Sequence, residues 1–165
     1  MKPGNGEKPM EKTNVMRLLT QKKIPFDAFR YETETVPSGV EAAGILGLDP
    51  AEVYKTLVTS GHSGAHYVFV IPVARELDLK KAAAACGEKS VEMLKSKDLL
   101  PLTGYVHGGC SPIGMKKPFP TWFDVSAERR SRIVFSAGKI GAHVGAAPDS
   151  LKSVLSFEYA DLCRD

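Results

Sequence analysis

Residues 53–73 read VYKTLVTSGHSGAHYVFVIPV and carry the clearest secondary-structure signal of the chain. The runs 53–60 and 66–73 are both rich in β-branched and aromatic side chains, which favour strands. Glycines at positions 61 and 64 bracket a short turn between the two runs. The segment therefore predicts a β-hairpin.

Shorter elements surround this hairpin. Thr13 is placed to cap a first helix, and a second helix is predicted from Ser38 to about Leu46 because Gly47 is a typical C-terminal stop. Asp78 is placed to cap a third helix. Further helices are predicted over residues 92–99, 150–155 and 159–163, and further strands over residues 26–31, 105–107, 121–125, 133–136 and 142–144.

The order of these elements indicates the fold class. Strands dominate the middle of the chain and helices occur at its ends and connections, which is an α+β pattern. We expect a single domain over residues 12–165, with a mixed, curved, barrel-like β-sheet surrounded by helices. Residues 1–11 are polar, contain Gly and Pro, and lack the apolar run of a signal peptide, so a flexible leader is predicted there.

Composition limits the classes of function. Of the 165 residues, 43% are hydrophobic and 25% are charged, which fits a globular domain and excludes a disordered or fibrous chain. No apolar run approaches the roughly 20 residues that cross a bilayer, so no membrane partner is expected. Cys86, Cys110 and Cys163 form no CxxC pair, which indicates a reducing, cytoplasmic compartment. The net charge of +3 permits an anionic partner without demanding one.

Lys55 lies inside the first strand of the hairpin, on the same side as Val53 and Leu57. Lysine is rarely buried without a partner. The pattern alone favours an ordinary role, either an inward lysine that protects an edge strand from aggregation or a side chain that reaches solvent at the strand end. A functional lysine is the alternative.

Two glycine-rich segments follow the hairpin. Residues 108–114, GGCSPIG, can bring backbone amides close to a ligand, although most such loops are only tight connections. This loop is neither a Walker motif nor a Gly-x-Ser-x-Gly nucleophile elbow. Residues 136–141, SAGKIG, considered alone, indicate a hairpin turn with a solvated lysine.

Taken in order, the segments form a recognisable set. Its members are YKTL at 54–57, PV at 72–73, LDLKK at 77–81, GYVHGGCSPIGMKK at 104–117 and SAGK at 136–139. This set resembles the YbaK/EbsC family of free-standing deacylases, which is similar to the editing domain inserted in bacterial prolyl-tRNA synthetases. The resemblance runs from about Asn14 to the end of the chain. It implies an α+β fold with a barrel-like sheet, a pocket for an aminoacylated RNA end, and no cofactor.

The resemblance also implies a function. It is that of an aminoacyl-tRNA deacylase acting in trans on mischarged tRNA, with Cys-tRNA(Pro) as the expected substrate and prolyl-tRNA synthetase as a candidate partner. A synthetase pocket discriminates between two amino acids that differ by one small group with a free-energy difference of only about 1–3 kcal/mol. A second site that hydrolyses the wrong product is therefore useful. The substrate's own thiol would attack the ester and form a cyclic thioester, which requires no protein nucleophile and no metal. Alanyl and seryl esters are the alternative substrates.

The same resemblance assigns roles to individual residues. Lys55 would orient the terminal ribose and phosphate or polarise the ester. Gly109, with its neighbours, would present backbone amides to the carbonyl oxygen or its oxyanion. The other expected substrate-binding residues are Tyr31, Thr56, Gly108, Ser111 and His143, and the expected RNA contacts are Lys116 and Lys117.

His143 departs from the family pattern. Family members often carry an aspartate a few residues after the Gly-Lys turn, and His143 occupies that position here. A neutral imidazole binds a substrate α-ammonium less well than a carboxylate does. The departure therefore affects the expected amino-acid specificity more than the reaction class. An ordinary strand histidine is the equal alternative.

Other interpretations compete with this one. Cys110, near His107, is a candidate thiol nucleophile, although it lacks a third orienting group. A module that binds misacylated RNA or a synthetase without catalysis is compatible with the same fold. The four histidines are scattered without Cys or carboxylate at ligand spacing, so no metal is expected. Residues 129–132, RRSR, are interpreted as a solvated face rather than as phosphate contacts.

Overall fold

The computed structural model describes residues 11–165, and residues 1–10 of the predicted leader lie outside the described part of the chain. The helices are α1 (Asn14–Gln21), α2 (Gly39–Leu46), α3 (Leu79–Cys86) and α4 (Ser96–Thr103), with short 3₁₀ helices at Val125–Arg129 and Pro148–Ser153. The strands are β1 (Asp27–Arg30), β2 (Tyr54–Gly61), β3 (His66–Pro72), β4 (Val91–Met93), β5 (Thr121–Asp124), β6 (Ile133–Lys139), β7 (Ala142–Ala146) and β8 (Glu158–Ala160). No helix in this part of the chain is long and apolar enough to cross a bilayer.

The strands form two sheets. The larger sheet is mixed and has the order β4-β2-β3-β5-β8, in which β2 is antiparallel to both neighbours and β5 is parallel to both of its neighbours. The smaller sheet is antiparallel and has the order β1-β7-β6. An isolated parallel bridge between Val53 and Val134 joins the two sheets. The amide of Val134 donates to the carbonyl of Glu52 at 2.9 Å in this bridge.

The predicted α+β class is confirmed, but the predicted barrel-like sheet is wrong. A closed barrel needs its outer strands to pair with each other, and within residues 11–165 the outer strands of neither sheet do so. The sheets diverge from the bridge because the space between them is filled by a shared core. Val58 and Phe123 of the larger sheet pack there in one cluster with Phe135 and Val144 of the smaller one.

The predicted hairpin is confirmed as β2 and β3, which pair from Tyr54 opposite Pro72 to Ser60 opposite His66. Both of its faces are covered. Val68 and Val70 belong to the core shared with the smaller sheet, whereas Phe69 belongs to a second cluster with residues of α3. Burial on both faces explains why apolar residues run continuously through β3 instead of alternating with polar ones.

Three helix starts are also confirmed. The Thr13 hydroxyl accepts from an amide of α1, and Asp78 accepts from two amides of α3. Ser38 and Glu41 form a reciprocal capping box at the start of α2, which ends at Gly47 with φ 72°. These local signals lie within one turn of the residues they specify, so the sequence alone reveals them.

Three element predictions are wrong. Residues 92–99 split between β4 and α4, because Val91 is buried and β4 pairs with the end of β2. Residues 105–107 are irregular and lead from the Gly104 cap of α4 into a turn at His107 and Gly108. Residues 159–163 begin in β8, which pairs with β5, and the amide of Leu162 donates to the buried Asp124 carboxylate at 3.1 Å. In two of the three cases long-range pairing overrides the local pattern.

Gly141 connects β6 and β7 in a conformation that favours glycine. Its φ is +85°, and a Cβ at this position would collide with the carbonyl oxygen of Tyr31. The Gly141 carbonyl also accepts from the amide of Tyr31 at 2.9 Å. The turn therefore fixes the chain that follows β1.

We expect Gly141→Ala to destabilise the fold by about 1–3 kcal/mol, the cost of holding a non-glycine residue in such a conformation. Gly44→Ala is the matched control, because Gly44 lies in α2 with open space where its Cβ would be. That change should stabilise the fold by about 0.5–1 kcal/mol. Urea unfolding measures both, and equal effects of the two substitutions would contradict the assignment of strain to Gly141.

Candidate functional site

A cavity of about 100 Å³ opens where β2 and β6 part beyond the Val53–Val134 bridge. Its walls come from the start of β2, from β6 and β7, from the chain after β1, from the first turn of α2 and from the glycine loop. The lining residues are Tyr31, Pro37, Gly39, Ala42, Val53, Tyr54, Lys55, Thr56, Val73, Gly108, Cys110, Ser136 and His143. The cavity thus brings together five of the seven predicted catalytic and substrate-binding residues, and Gly109 and Ser111 are not among its lining.

The smaller sheet holds one side of this cavity. Ser136 and His143 are direct partners across β6 and β7, so their side chains project to the same side. The His143 ring stacks on Tyr31, with ring centroids 5.9 Å apart and an interplanar angle of 29°. Ser136 was not among the predicted site residues. The signal that could have found it is its position at the start of the SAGK segment.

Two buried polar atoms at the cavity lack a hydrogen-bond partner within residues 11–165. They are Thr56 Oγ1 and His143 Nδ1. His143 is 8% exposed, and burial lowers its pKa to about 4, so its imidazole is neutral at neutral pH. A buried polar atom left unpaired costs about 1–3 kcal/mol. Both atoms belong to residues that line the cavity, and a buried polar group without a partner is a common feature of functional sites.

Lys55 is half-buried at the same cavity. Burial lowers the pKa of its ammonium, and the negative charge of Glu76 partly opposes this shift. Glu76 itself pairs with Arg164 at 3.6 Å. Strand β4 pairs only with Thr59–Gly61 of β2, so the stretch of β2 at Lys55 is open on that side and borders the cavity. The lysine therefore supplies a partly desolvated positive charge to a site that can bind an anion or a developing negative charge.

The glycine loop begins with a β-turn. The amide of Gly109 donates to the carbonyl of Val106 at 3.0 Å, and Gly108 has φ +87°, as the third position of a type II turn requires. The Gly109 amide is therefore already engaged and does not itself face the cavity. The amides of Gly108 and Cys110 have no acceptor in the described chain. These two residues line the cavity and are the better candidates for backbone donors.

Gly109 and Ser111 make packing contacts next to the cavity rather than in its lining. A side chain at position 109 would approach the backbone of Lys139 and Ile140 at 3.0–3.3 Å, so a glycine is needed for the loop to lie against that turn. Ser111 is fully buried, and its hydroxyl accepts from the amide of Ile113 at 3.3 Å. Both residues support the loop from behind the cavity wall.

The Cys110 thiol lines the cavity, but its environment does not favour a nucleophile. Burial raises its pKa to about 12, so the thiol stays protonated at neutral pH. Reactive cysteines have lowered pKa values, next to cations or helix N-termini. His107, the candidate base, is exposed on the turn and does not line the cavity.

The predicted RNA contacts lie outside the cavity. Lys116 and Lys117 are exposed, and the Lys116 ammonium donates to the carbonyl of Pro101 at 3.4 Å. In the basic segment 129–132, Arg132 pairs with Asp27 at 2.9 Å and Glu52 at 2.8 Å. This arginine is therefore neutralised by the fold itself. Over the described residues, no group of three His, Cys, Asp or Glu is placed to hold a metal ion.

Comparison with known proteins identifies the family. Residues 33–154 match the family model described as the aminoacyl-tRNA editing domain. The chain is 44% identical over 157 residues to EbsC of Enterococcus faecalis, which is assigned as a Cys-tRNA(Pro)/Cys-tRNA(Cys) deacylase, and the match covers 94% of this chain and 96% of EbsC. It is 25% identical over 111 residues to a proline–tRNA ligase of Pelobacter propionicus, and that match covers 67% of this chain and 19% of the ligase.

A solved structure shows the same fold. A protein assigned as a trans-editing enzyme for prolyl tRNA synthetase superposes with a TM-score of 0.80 at 24% identity, covering 94% of this chain and all of the other. The residues matched to the family include every lining residue of the cavity except Tyr31. The resemblance inferred from the sequence motifs is confirmed, and the chain belongs to the aminoacyl-tRNA editing domain family, in its YbaK/EbsC branch.

Proposed function

We propose that this chain hydrolyses Cys-tRNA(Pro) in trans, in the cytoplasm. One observation carries the proposal: Lys55, Thr56 and His143 meet the backbone of Gly108 and Cys110 at a cavity of about 100 Å³. Pockets that enclose drug-sized ligands measure roughly 300–1,000 Å³. The cavity therefore suits a small aminoacyl group and leaves the tRNA outside. The identity to EbsC supports a cysteinyl ester as the substrate.

The cavity offers two means of stabilising the negative charge that develops on the ester carbonyl. The amides of Gly108 and Cys110 donate to this oxygen, and the Lys55 ammonium attracts it through a partly desolvated site. Thr56 Oγ1 and the neutral His143 ring bond the other polar atoms of the aminoacyl group, which gives both unpaired atoms a partner. These roles follow from position and charge, and none needs a protein nucleophile.

The proposed reaction uses the thiol of the cysteinyl group. Its sulfur attacks the ester carbonyl, so that a carbon–sulfur bond forms and the bond to the ribose oxygen breaks. The thiol proton ends on the released ribose hydroxyl. Water then opens the cyclic thioester to free cysteine. The raised pKa of Cys110 is compatible with this route, since no protein thiolate takes part.

The relation to prolyl-tRNA synthetase is a further part of the proposal. A proline–tRNA ligase contains a region that is 25% identical to this chain. This similarity supports a shared substrate, a misacylated proline tRNA, and it is compatible with action beside the synthetase. Exposed Lys116 and Lys117 are the proposed contacts to the RNA backbone.

Replacement of Lys55 tests the catalytic part of the proposal. Lys55→Ala should lower kcat/KM for Cys-tRNA(Pro) by about 10²–10³, the usual effect of removing one group that stabilises an oxyanion. The measurement is the release of labelled cysteine from the tRNA. Lys89→Ala, at an exposed lysine away from the cavity, is the control and should retain activity. If the wild type hydrolyses no ester even with prolyl-tRNA synthetase added, the chain is a binding module and not an enzyme.

A substrate panel tests the role of the substrate thiol. Cysteine, alanine, serine and proline are each attached to proline tRNA and compared as substrates. The cysteinyl ester should react roughly a hundredfold faster than the alanyl or prolyl ester, because those lack an intramolecular nucleophile. If the alanyl or seryl ester reacts at a comparable rate, the deacylase function stands and the cysteine specificity is wrong. His143→Asp would then be the first variant to examine.

Replacement of Cys110 tests whether the nucleophile is the thiol of the cysteinyl group or the thiol of Cys110. Cys110→Ala should retain most of its activity on Cys-tRNA(Pro), because the change leaves the backbone amide in place and removes only a protonated thiol. Deacylation by the purified variant is compared with the wild type under the same conditions. A loss as large as that of Lys55→Ala would instead establish Cys110 as the nucleophile.

A further inference from the structure

Three exposed apolar residues lie near Gly108 at the edge of the cavity, two of them in space and one two positions before it in the sequence. A Cβ at position 108 would collide with Val36 and lie 3.7 Å from the side chain of Ile140. Val106 begins the turn that contains Gly108. Val36, Val106 and Ile140 are 47%, 44% and 38% exposed. We call these three residues the apolar rim.

The apolar rim contributes little to the fold. None of its three residues belongs to the buried clusters of the described chain or packs against them. Single exposed apolar residues are normal on protein surfaces, whereas a group of them beside a functional cavity marks a binding surface. The rim is next to the proposed reaction site, because Gly108, which lies beside Val36 and Ile140, lines the cavity.

The chemistry of the substrate identifies the occupant. In an aminoacyl-tRNA the ester joins the amino acid directly to the ribose of the terminal adenosine. Since the cavity has room for the aminoacyl group alone, that nucleoside must lie at its mouth. The face of a base is apolar and packs well against apolar and aromatic side chains. Lys139 is exposed beside Ile140, where it can meet the phosphate of the same nucleotide.

We propose that the apolar rim packs against the terminal adenine of the tRNA and thereby holds the ester at the amides of Gly108 and Cys110. This inference rests on the proposed deacylase function. Every mature tRNA ends in adenosine, so the rim recognises any aminoacylated end. Selection of the amino acid is left to the cavity, and selection of the tRNA to contacts elsewhere.

The test is a coupling experiment between the rim and the base. The substrates are the cysteinyl ester of the trinucleotide CCA and the same ester with an abasic ribose at its 3′ end. The enzymes are the wild type, Val36→Ser, Ile140→Ser and the control Met93→Ser. Met93 is 45% exposed and lies opposite Thr59, at the far end of β2 from Lys55. Exposed positions of this kind tolerate substitution within about 0.5 kcal/mol, and thermal unfolding verifies this for each variant.

Removal of the base should lower wild-type kcat/KM by about five- to tenfold, the lower part of the range for a stacked base. On the CCA ester, each rim variant should have a kcat/KM lower than that of the wild type by a similar factor. On the abasic ester, the variants should differ little from the wild type, because the contact between rim and base is already absent. Met93→Ser should match the wild type on both esters. Additive losses, or a wild type indifferent to the base, would overturn the inference.

Two further outcomes separate the inference from its premise. If the wild type cleaves neither ester, the proposed function fails, and the rim is judged from equilibrium binding of uncleavable amide analogues of the two substrates. If the effects of rim substitution and base removal on the binding of these analogues are not additive, adenine binding by the rim is supported. If the two effects are additive, the inference is overturned. If the rim variants lose activity only when prolyl-tRNA synthetase is present, the rim contacts a protein partner and the adenine assignment is wrong.

Discussion

The site depends on the parallel bridge between Val53 and Val134. At this point the two sheets are joined by a backbone hydrogen bond, and beyond it β2 and β6 separate around the cavity. If pairing continued along both strands, their backbones would close the space that the cavity occupies. The core that fills the rest of the gap keeps the strands apart, with Phe135 and Phe123 among its fully buried members. Packing thus determines where the sheets part, and the parting creates the site.

The cavity keeps polar groups unpaired at a cost to stability. Thr56 Oγ1 and His143 Nδ1 have no partner in the described chain, and each such atom costs about 1–3 kcal/mol when buried. His143 is held there by its place in β7, which lies between β1 and β6, and by stacking on Tyr31. Rigid strands on both sides prevent the ring from turning toward water. The same rigidity fixes the groups before a ligand arrives, which reduces the ordering cost of binding.

Local signals in the sequence predict the local elements well. The caps at Thr13, Ser38 and Asp78 and the hairpin turn at Gly61–Gly64 involve residues close in sequence, so propensity and pattern reveal them. The two sheets, by contrast, depend on contacts between distant segments. The parallel pairing of β8 with β5 joins residues that no periodicity connects. The same limit explains why the sequence indicated a barrel.

The site shows a similar division. Five of the thirteen cavity-lining residues were predicted as site residues, because the resemblance carried information on contacts that the chain alone does not reveal. The motifs did not distinguish Gly109 from its neighbours. The turn geometry shows that the Gly109 amide is engaged, whereas those of Gly108 and Cys110 have no acceptor within residues 11–165. Ser136 was missed for a related reason, since its importance comes from lying opposite His143 across two strands.

The charge of the cavity connects its structure to the proposed chemistry. Its described lining contains no carboxylate, His143 is neutral, and Lys55 is the cationic side chain. A carboxylate in place of His143 would attract the α-ammonium of the substrate, but it would also repel the negative charge that forms on the sulfur and on the carbonyl oxygen. With histidine there, the field of Lys55 acts on that charge without opposition from within the cavity. In the proposed reaction, histidine in place of a carboxylate would therefore weaken the anchoring of the amino group and favour the transition state, whose stabilisation relative to the bound substrate raises the rate.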